Sequence, residues 1–229
     1  MRLTLLTISL LCVLPFGFVS ANEDWEILFD GTDNGKLRGY KMQNFPEHAW
    51  EIADNTLSTK INVENVDIVT VNTYANFELV YEWKVSKAGN SGLFFHVQEI
   101  YDMVSGDGNS PNWLNDFEIQ ILDDENFYDK AANRSAGSLY DLIPPTHKTV
   151  KPYGEYNQAR LIVNKGHVKH YLNGTKVLDF TIGSKKLQSL INNSKFKGNK
   201  EFGKSSKGHI MFQHHGQKVW FRNIKVRTL

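Results

Sequence analysis

Phe77-Glu78-Leu79-Val80-Tyr81-Glu82-Trp83-Lys84-Val85 decides the fold class. Phe77, Leu79, Tyr81, Trp83 and Val85 recur with a period of two, while Glu78, Glu82 and Lys84 take the alternate positions. That is the signature of a strand with one face packed and the other wet. Similar strands are expected outward from it, at Leu93–Val97, Phe117–Leu122 and Arg160–Val163. Val168–Leu172 and Lys176–Phe180 flank Asn173-Gly174, a hairpin turn whose two residues tolerate positive φ. His209–Gln213 and Val219–Val226 close the chain, with a turn at His215-Gly216. One short helix is expected over Leu187–Asn193. Many short strands and almost no helix predict an all-β jelly-roll sandwich of two antiparallel sheets.

The first residues read as a signal peptide. Arg2 is a basic start, Leu3–Val13 a short apolar run, and Val19-Ser20-Ala21 a small-residue cleavage site. A retained anchor would need about 20 apolar residues, and Pro15 and Gly17 interrupt this run. The expectation is an exported protein, periplasmic or secreted, with residues 1–21 removed and 22–229 forming one domain. The only cysteine, Cys12, leaves with the signal, so packing must hold the domain without a disulfide. The 26 basic side chains lose Arg2, which leaves 25 against 25 acidic ones. That balance shows no footprint of nucleic-acid binding and no polybasic patch for a membrane.

In Phe117-Glu118-Ile119-Gln120-Ile121-Leu122-Asp123 the apolar face is Phe117, Ile119 and Ile121. Glu118 and Gln120 project from the other face, about 7 Å apart, a spacing that suits the hydroxyls of one sugar ring. An ordinary amphipathic strand has the same alternation. Gln213, His214 and His215 lie at a strand end, near Trp220 and Arg222 on the returning strand. A Trp can stack on a pyranose while Arg, Gln and His bond its hydroxyls. His is also the natural acid or base near neutral pH. His96 approaches the same expected groove from another strand, although a lone strand histidine is more often structural.

Metal signals are weak. His96, Glu118, Asp123, His214 and His215 offer donors without a zinc spacing, and Asp123-Asp124-Glu125-Asn126 lacks an EF-hand pattern. No cofactor is required by the sequence, and a divalent metal, with Asp123 as one ligand, stays open. Serine-nucleophile elbows, P-loops and dinucleotide fingerprints are absent.

Several stretches together resemble one family. They include Trp25-Glu26-Ile27-Leu28-Phe29-Asp30-Gly31, Gly89-Asn90-Ser91-Gly92-Leu93-Phe94-Phe95 and Phe117–Asp123. Ala136-Gly137-Ser138-Leu139-Tyr140-Asp141, Lys151–Asn157, His170–Gly174, Gln213-His214-His215-Gly216 and Val219–Ile224 continue the match in order. The chain resembles the DUF1080, or 3-keto-disaccharide hydrolase, domain family of concanavalin A-like lectin/glucanase fold. The resemblance implies a groove on the concave sheet and action on oxidised glycosides. It implies an acid/base pair, for which Glu118 and His215 are the candidates. Asn90, His96, Gln120, Glu155, Asn157, Gln213, His214, Trp220 and Arg222 would hold the sugar. Two positions depart from the family: His96 stands where Arg is common after Gly-x-Phe-Phe, and His214 where Asp is common in Gln-Asp-His-Gly. The expected partner is a carbohydrate or oxidised glycoside. The competing expectation is a non-catalytic lectin-like module on the same groove.

Overall fold

The structure is a computed structural model that describes residues 24–99 and 116–229. The expected signal segment and the whole stretch 102–115 lie outside the described residues.

Among the described residues thirteen strands and one α-helix follow in chain order. They are β1 (Glu26–Phe29), β2 (Leu37–Gly39), β3 (Trp50–Ala53), β4 (Thr56–Thr59), β5 (Ile68–Thr70), β6 (Phe77–Val85) and β7 (Asn90–Val97). After these come β8 (Phe117–Leu122), β9 (Asn157–Asn164), β10 (His167–Leu172), β11 (Thr175–Thr181), α1 (Lys185–Asn192), β12 (His209–Phe212) and β13 (Val219–Thr228). One sheet runs β11-β10-β9-β6-β13-β4-β3, with β1 also on β13, and the other runs β2-β5-β12-β7-β8. All pairings are antiparallel. The expected all-β jelly-roll sandwich is what the chain forms.

One apolar core lies between the sheets. Phe77, Leu79, Tyr81, Trp83, Phe221 and Val226 enter it from the larger sheet, and Ile68, Leu93, Phe95, Ile119 and Phe212 from the smaller. The face of β6 that alternation marks as packed is the face that packs. Asn173 and Gly174 both take positive φ, 49° and 81°, as the β10–β11 hairpin requires. Ser184 caps α1 by accepting the Leu187 N–H at 3.2 Å, and Leu187 and Ile191 anchor the helix to the core.

Strand β7 begins at Asn90, three residues before the apolar run that announces it. Gly89-Asn90-Ser91-Gly92 looks like a turn by composition. Its central position between β12 and β8 holds it extended, with Asn90 opposite Leu122 and Gly92 opposite Gln120. On the wet side of the larger sheet, Glu78 accepts from Arg160 at 2.5 Å and from Arg227 at 2.5 and 2.9 Å. Burial alone would raise its carboxyl, but these guanidinium bonds more than offset that and hold it below the usual range.

His170 on β10 is buried against the Gly137 carbonyl, 3.4 Å from Nδ1. Burial pulls its pKa down to about 4. The folded protein therefore keeps this ring neutral, while the unfolded chain protonates it below about 6.5. Stability is expected to fall as pH drops from about 6.5 toward 4, by on the order of 2 kcal/mol from this group. Urea denaturation at pH 4.5 and 7 checks it: His170→Gln should narrow the gap between the two, and an unchanged gap counts against this origin.

Candidate active site

The pairing register decides which residues leave the core on the smaller sheet. Ile68 and Phe212 pair and point inward, as do Leu93 and Ile119. The alternating residues face outward. Val69, Met211, Phe94 and Glu118 form one cross-strand row. Two residues along the sheet, Asp67, Gln213, Gly92 and Gln120 form the next outward row, with Gly92 opposite Gln120 and its carbonyl accepting the Gln213 N–H at 2.9 Å. Tyr40, Val69, Phe94, Val97 and Met211 make a second apolar cluster, separate from the core. This outer face is thus apolar on one side and polar on the other.

Glu118 occupies the polar side, only 7% exposed. Its carboxyl lies over Gly92: a Cβ built there would sit 2.3 Å from Glu118 Oε1 and 2.9 Å from Cδ. With the Gln120 amide assigned so that its nitrogen faces Glu118, it donates to Oε1 and to the Ser91 carbonyl, both at 3.0 Å. The free edge of β8 is closed by the segment Gly137–Tyr140. The Tyr140 N–H donates to the Glu118 carbonyl at 3.0 Å, and the Gln120 N–H to the Ser138 carbonyl at 3.1 Å.

The cations of the site pack against the end of that segment. Lys195 Nζ lies 4.1 Å above the Tyr140 ring. The Lys195 backbone N–H donates to Asp141 Oδ2 at 2.9 Å, and Arg134 holds Asp141 Oδ1 at 2.7 Å. Burial pushes the Glu118 carboxyl up to about 8; the Lys195 charge opposes this and Asp67 adds to it. Burial lowers Lys195, against the attraction of Glu118 and Asp141. At neutral pH Glu118 is therefore mostly the neutral acid, beside an amine, which is the poise of a proton donor.

Asp67 is also 7% exposed. Its Oδ1 accepts the His214 N–H at 2.6 Å. Burial pushes its pKa up to about 7, which the His214 hydrogen bond partly counters. Nothing in the sequence singles out Asp67 or Lys195. The first precedes a three-residue strand and the second lies in an irregular loop. Gly92 and Tyr140 are visible only as members of family-like stretches.

The sequence-predicted residues divide. Asn90, Glu118, Gln120 and Gln213 fall on the outward alternation of the smaller sheet. His215 is exposed just beyond β12, its Nδ1 3.0 Å from Gln217 Oε1. His214 does not face the groove: its ring meets Trp50 edge-on at 5.8 Å, inside the end of the sandwich. His96 is likewise turned away. It is a bulged residue with φ 62°, where His209 pairs with Val97 and Ile210 with Phe95. Its Nε2 bonds the Ala75 carbonyl at 2.9 Å, and its ring packs on Phe77.

Trp220 and Arg222 require the largest correction. They lie on the outer face of the other sheet, because Val219 and Phe221 beside them enter the core. Lys84 Nζ sits 4.5 Å above the Trp220 ring, and Arg222 stacks 3.8 Å from Tyr156 while bonding Glu82. The two outer faces are separated by the whole core, so neither residue shares the groove of Glu118. Asn157 is buried and structural, accepting from the Lys151 N–H and from Asn173 Nδ2 at 2.8 Å. Glu155 is exposed on the turn whose Gly154 N–H reaches Val85 of the larger sheet. Asp123 accepts the N–H groups of Ala88, Glu125 and Asn126, so its carboxylate shapes a turn. Among the described residues no three His, Cys, Asp or Glu side chains converge on a metal position.

Residues 24–227 match the model of the 3-keto-alpha-glucoside-1,2-lyase-like domain family. The chain belongs to this family. The chain is 37% identical over 228 residues to the 3-keto-disaccharide hydrolase of Bacteroides thetaiotaomicron, an alignment covering 88% of this chain and 77% of that protein. It is also similar to a solved "putative glycosyl hydrolase" of Parabacteroides distasonis, with 29% identity, a TM-score of 0.78, and coverage of 90% and 94% of the two chains. The Bacillus subtilis carbohydrate-binding module CBM66 shares the fold alone, at 11% identity and a TM-score of 0.51 over 84% of this chain and 96% of that one. The two departures from the family, His96 and His214, both sit inside the sandwich rather than on the Glu118 face.

Proposed function

We propose that this protein is a carbohydrate-acting hydrolase that cleaves 3-keto-glycosides on the outer face of the five-stranded sheet. The observation that carries the reading is Glu118, a buried carboxyl held largely protonated next to Lys195 on a half-apolar, half-polar face. Such a face suits a sugar, whose ring presents C–H groups on one side and hydroxyls at its edge. The family and the name of the Bacteroides relative support the substrate class.

The chemistry follows from the ketone. A carbonyl at C3 acidifies the C2–H. A base takes that proton, and the C–H electron pair becomes the C1–C2 double bond as the C1–O bond breaks. The leaving oxygen takes a proton from an acid and departs as the free alcohol. Water then adds back, hydroxyl to C1 and proton to C2, so the net change is hydrolysis. In this reading Glu118 gives the proton to the leaving oxygen, and the Lys195 side chain stabilises negative charge on the C3 oxygen. The signal-like N-terminus supports a site of action outside the cytoplasm.

The test is release of a chromogenic aglycone from its 3-keto-glucoside, followed from pH 5 to 9 with and without chelator. Release is expected from the keto substrate and not from the parent glucoside. A protein that binds the sugar but releases nothing at any pH is a lectin-like module instead.

A further inference from the structure

Resting on that reading, we propose that Asp67 is the catalytic base, and that Asp67 and Glu118 divide the acid/base work across the bare backbone of Gly92. The sequence expectation gives this place to His215, which instead stands exposed beyond β12 against Gln217. Asp67 immediately precedes Ile68, whose side chain enters the core with Phe212, so Asp67 and Gln213 turn to the same outer face as Glu118. Two strands, β12 and β7, lie between Asp67 and Glu118. At about 4.8 Å per strand their backbones are too far apart for direct contact. Gly92 removes the side chain between them, and Glu118 extends its carboxyl into that space. The Glu118 carboxyl, seated over Gly92, thus reaches toward Asp67 on the same face, with Gln213 on the strand between.

The bonding of Asp67 suits a base. One oxygen is fixed by the His214 N–H, which sets the plane of the carboxylate, and Oδ2 accepts no hydrogen bond among the described residues. An oxygen with that freedom on the groove face can take a proton. The charged group that acts on Glu118 from the far side is Lys195, beside Tyr140. The imidazoles of His214 and His215 are turned to Trp50 and Gln217. Burial raises both carboxyls, Asp67 to about 7 and Glu118 to about 8, and the Oδ2 of Asp67, which accepts no hydrogen bond among the described residues, makes it the proton acceptor of the two. In the elimination, Asp67 Oδ2 takes the C2 proton, and Glu118 gives its proton to the departing oxygen. When water adds back, Glu118 recovers a proton from the water and Asp67 returns one to C2. Both groups end as they began.

Asp67→Asn isolates the role, because the amide oxygen still accepts the His214 N–H while the group can no longer take a proton. The variant is expected to keep the wild-type circular dichroism spectrum and to bind 1,5-anhydro-3-ketoglucitol, which has no leaving group at C1, within a few-fold of wild type. Its kcat should fall at least 100-fold, and the acidic limb of the kcat/KM pH profile should disappear. If wild type turns over and Asp67→Asn stays within threefold of it with the same pH profile, Asp67 is only a cap on β12 and the assignment fails alone. If wild type releases no aglycone, the reaction itself fails and takes the assignment with it. His215→Ala should keep more than a third of the wild-type rate; a loss as large as that of Asp67→Asn would return the base to His215.

Discussion

Gly92→Ala is expected to lower kcat/KM by about 100-fold in a protein that still folds. The added methyl would stand 2.3 Å from Glu118 Oε1, 2.9 Å from Cδ and 3.0 Å from Cγ. Oε1 must move by about an ångström to reach ordinary contact, and displacement of a reacting group on that scale costs about 100-fold. The backbone is no obstacle, since Gly92 lies in a regular strand and is not among the glycines with positive φ. Alanine there also removes freedom from the unfolded chain, which favours folding by about 0.4–1 kcal/mol. Against this stands the cost of lifting a buried carboxyl off its bed and out of reach of the Gln120 amide. Near-cancellation leaves the melting temperature within a few degrees of wild type. The double variant Gly92→Ala, Glu118→Ala has no clash and should melt above Gly92→Ala alone. Steady-state kinetics and thermal melts read both effects. A Gly92→Ala enzyme at the wild-type rate would mean that the carboxyl does not work from the position it holds here.

The alternation that exposes the fold also shows why only part of the site is legible. Phe77–Val85 and Phe117–Leu122 are long enough for a period of two to declare itself, and both strands have the expected limits. Strands β1 to β5 have three or four residues each, too few for any period, yet they supply the edge of each sheet and the place of Asp67. Alternation says that Trp220 and Arg222 point away from the core. It does not say which of the two outer faces of a sandwich they reach, and they reach the one opposite Glu118. His96 is hidden differently. A single extra residue at the β7 bulge breaks the alternation between Phe95 and Val97, so counting along the strand puts the histidine on the wrong side. Lys195 belongs to no strand at all, and tertiary folding alone brings it to Tyr140.

Glu118→Gln should abolish most activity and stabilise the protein at alkaline pH. As the proton donor to a leaving alkoxide, Glu118 accounts for about 100- to 10,000-fold of rate, so a loss near 1,000-fold in kcat is expected. The stability effect follows from linkage. Burial holds the folded carboxyl at about 8, whereas the unfolded side chain titrates at its ordinary value near 4.5. Between those values the folded state keeps a proton that the unfolded state has released. Stability is therefore lost as pH rises through this window, and it is fully present below about 4.5. Glutamine has the same shape, can still meet the Gln120 amide through its oxygen, and has no proton to lose. The variant and wild type should be nearly equal in stability at pH 4.5. At pH 8 the variant should be ahead by a margin on the order of 2–4 kcal/mol. Urea denaturation at the two pH values measures the difference directly. A constant gap would show that Glu118 is not held protonated by burial, and a variant with wild-type turnover would remove it from the chemistry. Both results together would move the site off this face. The opposite pair, activity lost and alkaline stability gained, is what a strained catalytic carboxyl predicts, because the burial that costs stability is the same burial that keeps the acid protonated at neutral pH.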